Sequence, residues 1–230
     1  TFSLVVNDGL ADSTNTAQVT VTVVNGFTIT HKYLPGLNLI AWPISTSSIT
    51  TAAALAAAIE AKGMVVNQVF GWTSGASQGY STPYAIVRDQ NGNVLLKTGD
   101  FSLVAGGAYF VELASNSASG SLSVTGQAYS AVSVANGLNL VSVPLTNSSL
   151  VSASQWVQDM ESKLGVSINQ VFGWTSGAQP GFSTPYAIVR DNQGTVLLKT
   201  GDFTLNSVNP AMGYFVEIGT AFQGTKSYKP

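Results

Sequence analysis

His31 is the single histidine of the chain and cysteine is absent, so thiol catalysis, thiolate metal sites and disulfides are all ruled out. No histidine, cysteine or carboxylate stands at metal-ligand spacing from His31. It has no counterpart in the second copy of the chain's internal repeat, and a surface strand residue is expected. No G-x-S-x-G, H-E-x-x-H, P-loop or dinucleotide-binding spacing occurs. Paired carboxylates are the remaining route to catalysis, since a glycosidase needs only two, about 5 to 10 Å apart. Four acids recur at matching places along the chain, Glu60 with Glu161, Asp89 with Asp191, Asp100 with Asp202 and Glu112 with Glu217. Arg88 stands beside Asp89, and Lys62 lies near Glu60, which reads as surface ion pairing. The expectation is a chain that is not an enzyme, with no catalytic residue, no metal site and no cofactor.

The segment Asp89-Gln-Asn91-Gly92-Asn93 has the alternating oxygens of a calcium loop, but its counterpart Asp191-Asn-Gln193-Gly194-Thr195 keeps the turn and changes the ligands. Neither ends in a bidentate Glu, and a plain turn is expected. Asp8 and Asp12 flank an N-terminal loop and leave calcium open there.

Aromatic residues form the more informative set. Trp72, Tyr80, Tyr84 and Arg88 recur as Trp174, Phe182, Tyr186 and Arg190, and each Trp is followed by a loop, Thr73-Ser74 and Thr175-Ser176 in the two cases. Rigid rings beside polar loops make a platform for a neutral glycan or a protein partner. The competing reading places the rings in a core, and the exchange of Tyr80 for Phe182, which discards a hydroxyl, favours it. The polar loop residues Thr73 to Ala76 and Ser81 to Pro83 nonetheless recur unchanged, which core packing alone seldom requires. Either the block was duplicated recently or both copies present one surface to something.

These residues belong to an internal repeat. Between Asn67–Leu103 and Asn169–Leu205 all but seven of the 37 positions match. The match extends to Gly36-Leu-Asn-Leu-Ile-Ala-Trp-Pro-Ile and Gly137-Leu-Asn-Leu-Val-Ser-Val-Pro-Leu, and to Ala108-Tyr-Phe-Val-Glu-Leu and Gly213-Tyr-Phe-Val-Glu-Ile. Short apolar runs bounded by Gly, Asn and Pro predict strands. Alternation puts Tyr84, Ile86 and Arg88 on one strand face and Ala85 and Val87 on the other. Each copy also carries one amphipathic helix, Ala52 to Lys62 with Leu55 and Ile59 four apart, and its counterpart with Trp156 and Met160, ending before Gly165. The chain is therefore mainly β: two tandem β domains of about 100 residues each, at 26–126 and 127–230, joined by a short connection near Gly126 to Ser130. They follow a two-stranded element at 1–25, in which Phe2, Leu4, Val6, Val19, Val21 and Val23 mark one buried face.

FSLVVNDG followed by AQVTVTVV resembles the last two strands of a PKD or cadherin-like immunoglobulin-fold domain. The rest is similar to repeats of secreted bacterial surface proteins that open with G-W-N-L-(I/V)-x-x-P-(L/I) and close with G-Y-(W/F)-(I/V), Leu37 and Leu138 standing where that pattern carries Trp. This implies a prokaryotic extracellular or cell-surface setting and a sandwich-like β fold, and brings no catalytic residues with it.

Composition agrees with such a setting. Only 9% of the 230 residues are charged, against 45% apolar, and the net charge is −2. That excludes the electrostatic footprint of a nucleic-acid or anionic-lipid binder. No apolar run reaches the roughly 20 residues of a membrane span. Beginning at Thr1, the chain reads as a processed or excised piece of a longer protein. The expected function is a structural or interaction module, a subunit or stalk segment of a cell-surface filament, surface layer or adhesin. Its partners would be further copies or neighbouring surface-protein domains. An isolated hairpin is marginal in water, so residues 1–24 are expected to complete a sheet by β-strand addition. The alternative is a carbohydrate-binding module that takes a neutral polysaccharide.

Overall fold

A computed structural model describes residues 2–4, 17–19, 26–177, 180–205, 211–219 and 221–230. Strands β1 (Phe2–Leu4) and β2 (Ala17–Val19) pair antiparallel with each other, Phe2 opposite Val19, and neither pairs with another strand among the described residues. The first repeat runs β3 (Phe27–Tyr33), β4 (Gly36–Trp42), β5 (Ile44–Ser45), helix α1 (Ala52–Glu60), β6 (Val66–Phe70), β7 (Trp72–Thr73), β8 (Gly79–Tyr80), β9 (Tyr84–Arg88), β10 (Val94–Thr98), β11 (Gly107–Leu113) and β12 (Gly120–Ala128). The second follows with β13 (Val132–Ala135), β14 (Gly137–Ser142), helix α2 (Ala153–Leu164), β15 (Ile168–Phe172), β16 (Trp174–Thr175), β17 (Gly181–Phe182), β18 (Tyr186–Arg190), β19 (Val196–Thr200), β20 (Gly213–Ile218) and β21 (Thr225–Tyr228). The protein is mainly β, and the recurring block adopts the same strand order in both copies. β12 runs through Gly126 to Ala128, so the connection between the repeats shortens to Tyr129–Ala131.

The Gly-Leu-Asn-Leu motif has a local cause. Gly36 and Gly137 take φ of 88° and 82°, where a side chain would be strained, and so let the chain reverse between β3 and β4 and between β13 and β14. Buried Asn38 closes the first reversal, its Oδ1 accepting from Leu34 N at 3.0 Å and its Nδ2 donating to Leu34 O at 2.8 Å. Asn139 does the same with Ala135 N and O, both at 2.8 Å.

In each repeat the large sheet is antiparallel, ordered β10-β9-β6-β11-β4 in the first and β19-β18-β15-β20-β14 in the second. The bridge between Gly107 of β11 and Val141 of β14 joins them into one ten-stranded sheet. Along β11, Tyr109, Val111 and Leu113 enter the first core, with α1 and the β3–β12 pair, whereas Ala108 and Phe110 point to the opposite face. The second core repeats this plan with α2 and the β13–β21 pair.

Both helices form as their pattern predicts. Leu55 and Ile59, and Trp156 and Met160, are fully buried. Thr51 and Ser152 cap the N-termini, Ser152 in a reciprocal capping box with Gln155, and α2 stops at Gly165 in the left-handed conformation. Asp100 accepts from Ala53 N and Asp202 from Ser154 N, each at 2.9 Å, so these recurring acids hold the first helical turns.

Two expectations change. His31 is fully buried, not on the surface: it shares strand parity with Ile29 and Tyr33, and its ring stacks on Trp42 with centroids 5.9 Å apart. Arg88 pairs with Glu60 of α1 rather than with its neighbour Asp89, because adjacent strand residues point to opposite faces. Arg190 meets Glu161 of α2 in the same way, at 2.5 Å.

Candidate functional site

The recurring aromatics lie where the repeats meet. Just beyond β6 and β15, the two-residue hairpins β7–β8 and β16–β17 fold over the open face of the large sheet, pairing Trp72 with Tyr80 and Trp174 with Phe182. The indole Nε1 of Trp72 donates across the junction to Leu138 O at 2.9 Å, and that of Trp174 donates to Leu37 O at 3.3 Å. Each Trp sets its edge against a Phe of the other repeat, Trp72 on Phe215 at 5.2 Å and Trp174 on Phe110 at 5.3 Å. Phe70 stacks on Phe110 and Phe172 on Phe215, both at 5.2 Å. A small apolar core of Leu39, Ala108, Phe110, Leu140 and Phe215 lies beneath, drawn from both repeats.

The junction is thus built from one patch used twice about an internal two-fold, the logic of an isologous dimer within one chain. Backbone bonds lock it. Ser142 N donates to Gly106 O and Ala41 N to Ala211 O, both at 2.8 Å, and Trp42 N donates to Ser142 Oγ at 2.9 Å. The Thr-Ser-Gly-Ala loops take part as well: a Cβ on Gly177 would come within 3.1 Å of Leu34 Cδ1 in the other repeat, at a φ of 110°. Gln78 Oε1 reaches across to accept from Leu138 N at 3.0 Å, a bond Pro180 at the matching position has no side chain to make.

Two clefts of about 360 and 370 Å³ flank this junction. One is lined by Trp72 and Ser74 with Asn139 and Val141 of the second repeat, the other by Trp174, Thr175 and Ser176 with Leu39 of the first. Thr73, Thr175, Tyr80 and Phe182 are exposed, the two rings by 56% and 57%.

Tyr84, Arg88, Tyr186 and Arg190 stand apart from this site. Tyr84 and Tyr186 are buried on the helix-covered face, where burial foremost, and then Asp100 and Glu60 or Asp202 and Glu161, push their hydroxyls above the ordinary range. Arg88 and Arg190 tie β9 and β18 to the helices. The structure thus brings together Trp72, Thr73, Ser74 and Tyr80 with Trp174, Thr175, Ser176 and Phe182, and leaves the other four as scaffold. Phe110 and Phe215, at the centre of the junction, were missed as site residues, although the recurring Tyr-Phe-Val-Glu run carries both.

The recurring acids hold local structure. Asp89 Oδ1 accepts from Asn91 N and Asn93 N at 2.8 Å, and Asp191 does likewise with Gln193 and Thr195, so each turn carboxylate closes its own loop. The Asn93 side chain foremost, with the loop's backbone N–H groups, lowers the Asp89 pKa. Glu217 accepts from Gln170 at 2.6 Å, and Glu112 from Gln68. Among the described residues no three His, Cys, Asp or Glu gather around a point that would hold a metal ion.

Of the N-terminal strand-face positions, Phe2 and Leu4 fall in β1 and Val19 in β2, while Val6, Val21 and Val23 lie outside the described residues. No described helix is long and apolar enough to cross a membrane. No protein-family model matches the chain, and comparison with curated proteins and with solved structures gives no match.

Proposed function

We propose that this protein is a non-catalytic structural and interaction module of the prokaryotic cell exterior, a subunit or stalk segment of a filament, surface layer or adhesin. The observation that carries this reading is the direction in which the recurring block faces. Residues that resemble a binding platform from sequence are turned toward the other repeat, where they weld two sheets into one. Such a continuous sheet suits bearing and transmitting load, since the one bridge between β11 and β14 is reinforced by the bonds of Ser142, Ala41 and both Trp indoles across the junction. The low charge supports close stacking, which then removes few charges from water. Assembly would proceed by β-strand addition between copies or with neighbouring surface domains.

A second reading has its own support. The paired clefts lined by Trp72 and Trp174, together with the Tyr80 and Phe182 rings exposed outside the clefts against those Trp residues, offer matching seats for a neutral sugar unit, as expected of a carbohydrate-binding module. Electron microscopy and sedimentation of the full chain over a wide concentration range separate the two. Filaments or layers are expected. A monomer at every concentration that is retained on an insoluble polysaccharide would replace the first reading with the second. Tyr80→Ala with Phe182→Ala is the pair for the retention assay, since these rings are exposed; they also pack edge-on against Trp72 and Trp174, at 5.3 and 5.1 Å, so an unchanged thermal midpoint has to accompany the loss of retention.

A further inference from the structure

The two outer strands of the ten-stranded sheet, β10 and β19, carry the same five residues, Val-Leu-Leu-Lys-Thr, and every one is exposed in both. Leu95 and Leu96 are 66% and 55% exposed, and Leu197 and Leu198 65% and 55%, with Val87 and Val189 exposed on the adjoining strands. Among the described residues β10 pairs only with β9 and β19 only with β18, so each presents a row of backbone N–H and C=O groups that no described strand meets, beside apolar side chains. An edge of this kind is a template for another strand.

We propose that β10 and β19 are self-association edges, each pairing antiparallel with an outer strand of a second copy so that the large sheet continues from molecule to molecule. This rests on the structural reading above and names its surface and its occupant. Identity of the two edges argues for a second copy over an unrelated partner, because Val-Leu-Leu-Lys-Thr laid antiparallel on its own copy sets leucine on leucine at its centre and each Lys beside a Leu. Centred on Leu96 and Leu198, the antiparallel register sets Val94 opposite Thr200, Leu95 opposite Lys199 and Lys97 opposite Leu197. Leucine then meets leucine at the centre, and each Lys lies along a Leu with its aliphatic stem instead of facing another charge. The chain already joins two such sheets about an internal two-fold at Gly107 and Val141. With one equivalent edge at each end, a further two-fold between molecules does not close and yields an open row.

Two features oppose association. Bulges lie at the equivalent edge residues Leu95 and Leu197, which the pairing with β9 and β18 skips, and Lys97 and Lys199 charge the edges. The pairing is therefore weak and concentration-driven, visible at high micromolar protein or on a crowded surface.

Full-length protein carrying Leu96→Lys, Leu198→Lys or both tests the arrangement, since these side chains are mostly in water and unchanged thermal midpoints verify the fold. Wild type should form a ladder of oligomers by mass photometry and sedimentation. Each single variant keeps one free edge and should stop at the dimer. The double variant, with like charges opposite one another, should associate at least about tenfold more weakly. Assembly of the double variant equal to wild type overturns the edge proposal while leaving the structural reading standing. Single variants that still extend beyond dimers also overturn it. A wild-type chain that remains monomeric at every concentration overturns both.

Discussion

The helices α1 and α2 differ at most positions, whereas Asn67–Leu103 and Asn169–Leu205 are nearly the same, although both regions occupy equivalent places in the two repeats. The difference follows from what each region touches. A helix packs on its own sheet, so a change in one repeat needs an answer only within that repeat. Within the matching block Phe70, Trp72 and their counterparts face the junction, where a change in one copy disturbs the surface the other copy is built to fit, whereas β9, β10 and their counterparts match while standing apart from it.

The cores show the freedom this leaves. Trp42 of β4 corresponds to Val143, the residue just after β14, and Leu55 of α1 to Trp156 of α2. All four are buried, so one repeat places its large indole on the strand and the other on the helix. Interiors are packed to near-crystalline density, and volume removed on one side has to return on the other.

Trp156→Ala should have the largest effect on this comparison, about 3 to 5 kcal/mol by chemical denaturation. Trp42→Val alone should cost about 3 kcal/mol. Adding Leu55→Trp, which recreates the arrangement of the second repeat, should recover part of that loss; a strictly additive penalty would show that the two cores do not share a packing solution.

Next comes the loss of stability between pH 6.5 and 4, which His31 of the first repeat should dominate. His31 stands where the second repeat has Val132. Burial lowers the His31 pKa to about 4, and the nearby Ala211 backbone, already receiving the Ala41 N–H, offsets this only in part. Neither ring nitrogen has a hydrogen-bond partner among the described residues. The folded state therefore keeps the ring neutral while the unfolded chain takes up a proton below about 6.5. Between pH 6.5 and 4 the unfolded state binds more protons, and stability falls as pH falls, by about 3 kcal/mol across that window. His31→Val should flatten this part of the profile in denaturant midpoints measured against pH.

The smallest effects should appear at the junction bonds. Trp72→Phe and Trp174→Phe each remove one hydrogen bond between repeats, for about 1 kcal/mol, with the larger loss at Trp72, whose bond is shorter. Equal destabilisation in the presence and absence of the other substitution would show that the two bonds act independently; strong coupling would mark the junction as one cooperative unit.

Much of the fold was legible in residues alone. Alternation along Tyr84 to Arg88, the four-residue spacing of Leu55 and Ile59, and Gly165 at the end of α2 depend on backbone periodicity and sterics, which act over a few residues. The same local rules explain why Asp89 reads as a turn. His31 was misplaced because a polar residue was given the solvent side, when the strand's own parity with Ile29 and Tyr33 placed it inside. What tertiary structure alone decided was the meaning of the repeated aromatics. Sequence showed that Trp72 and Trp174 recur with their loops, and left open whether the block was recently duplicated or presents one surface to something in both copies. That each copy faces the other follows from the docking of two sheets about an internal two-fold, a relation between residues about a hundred positions apart that no local spacing encodes.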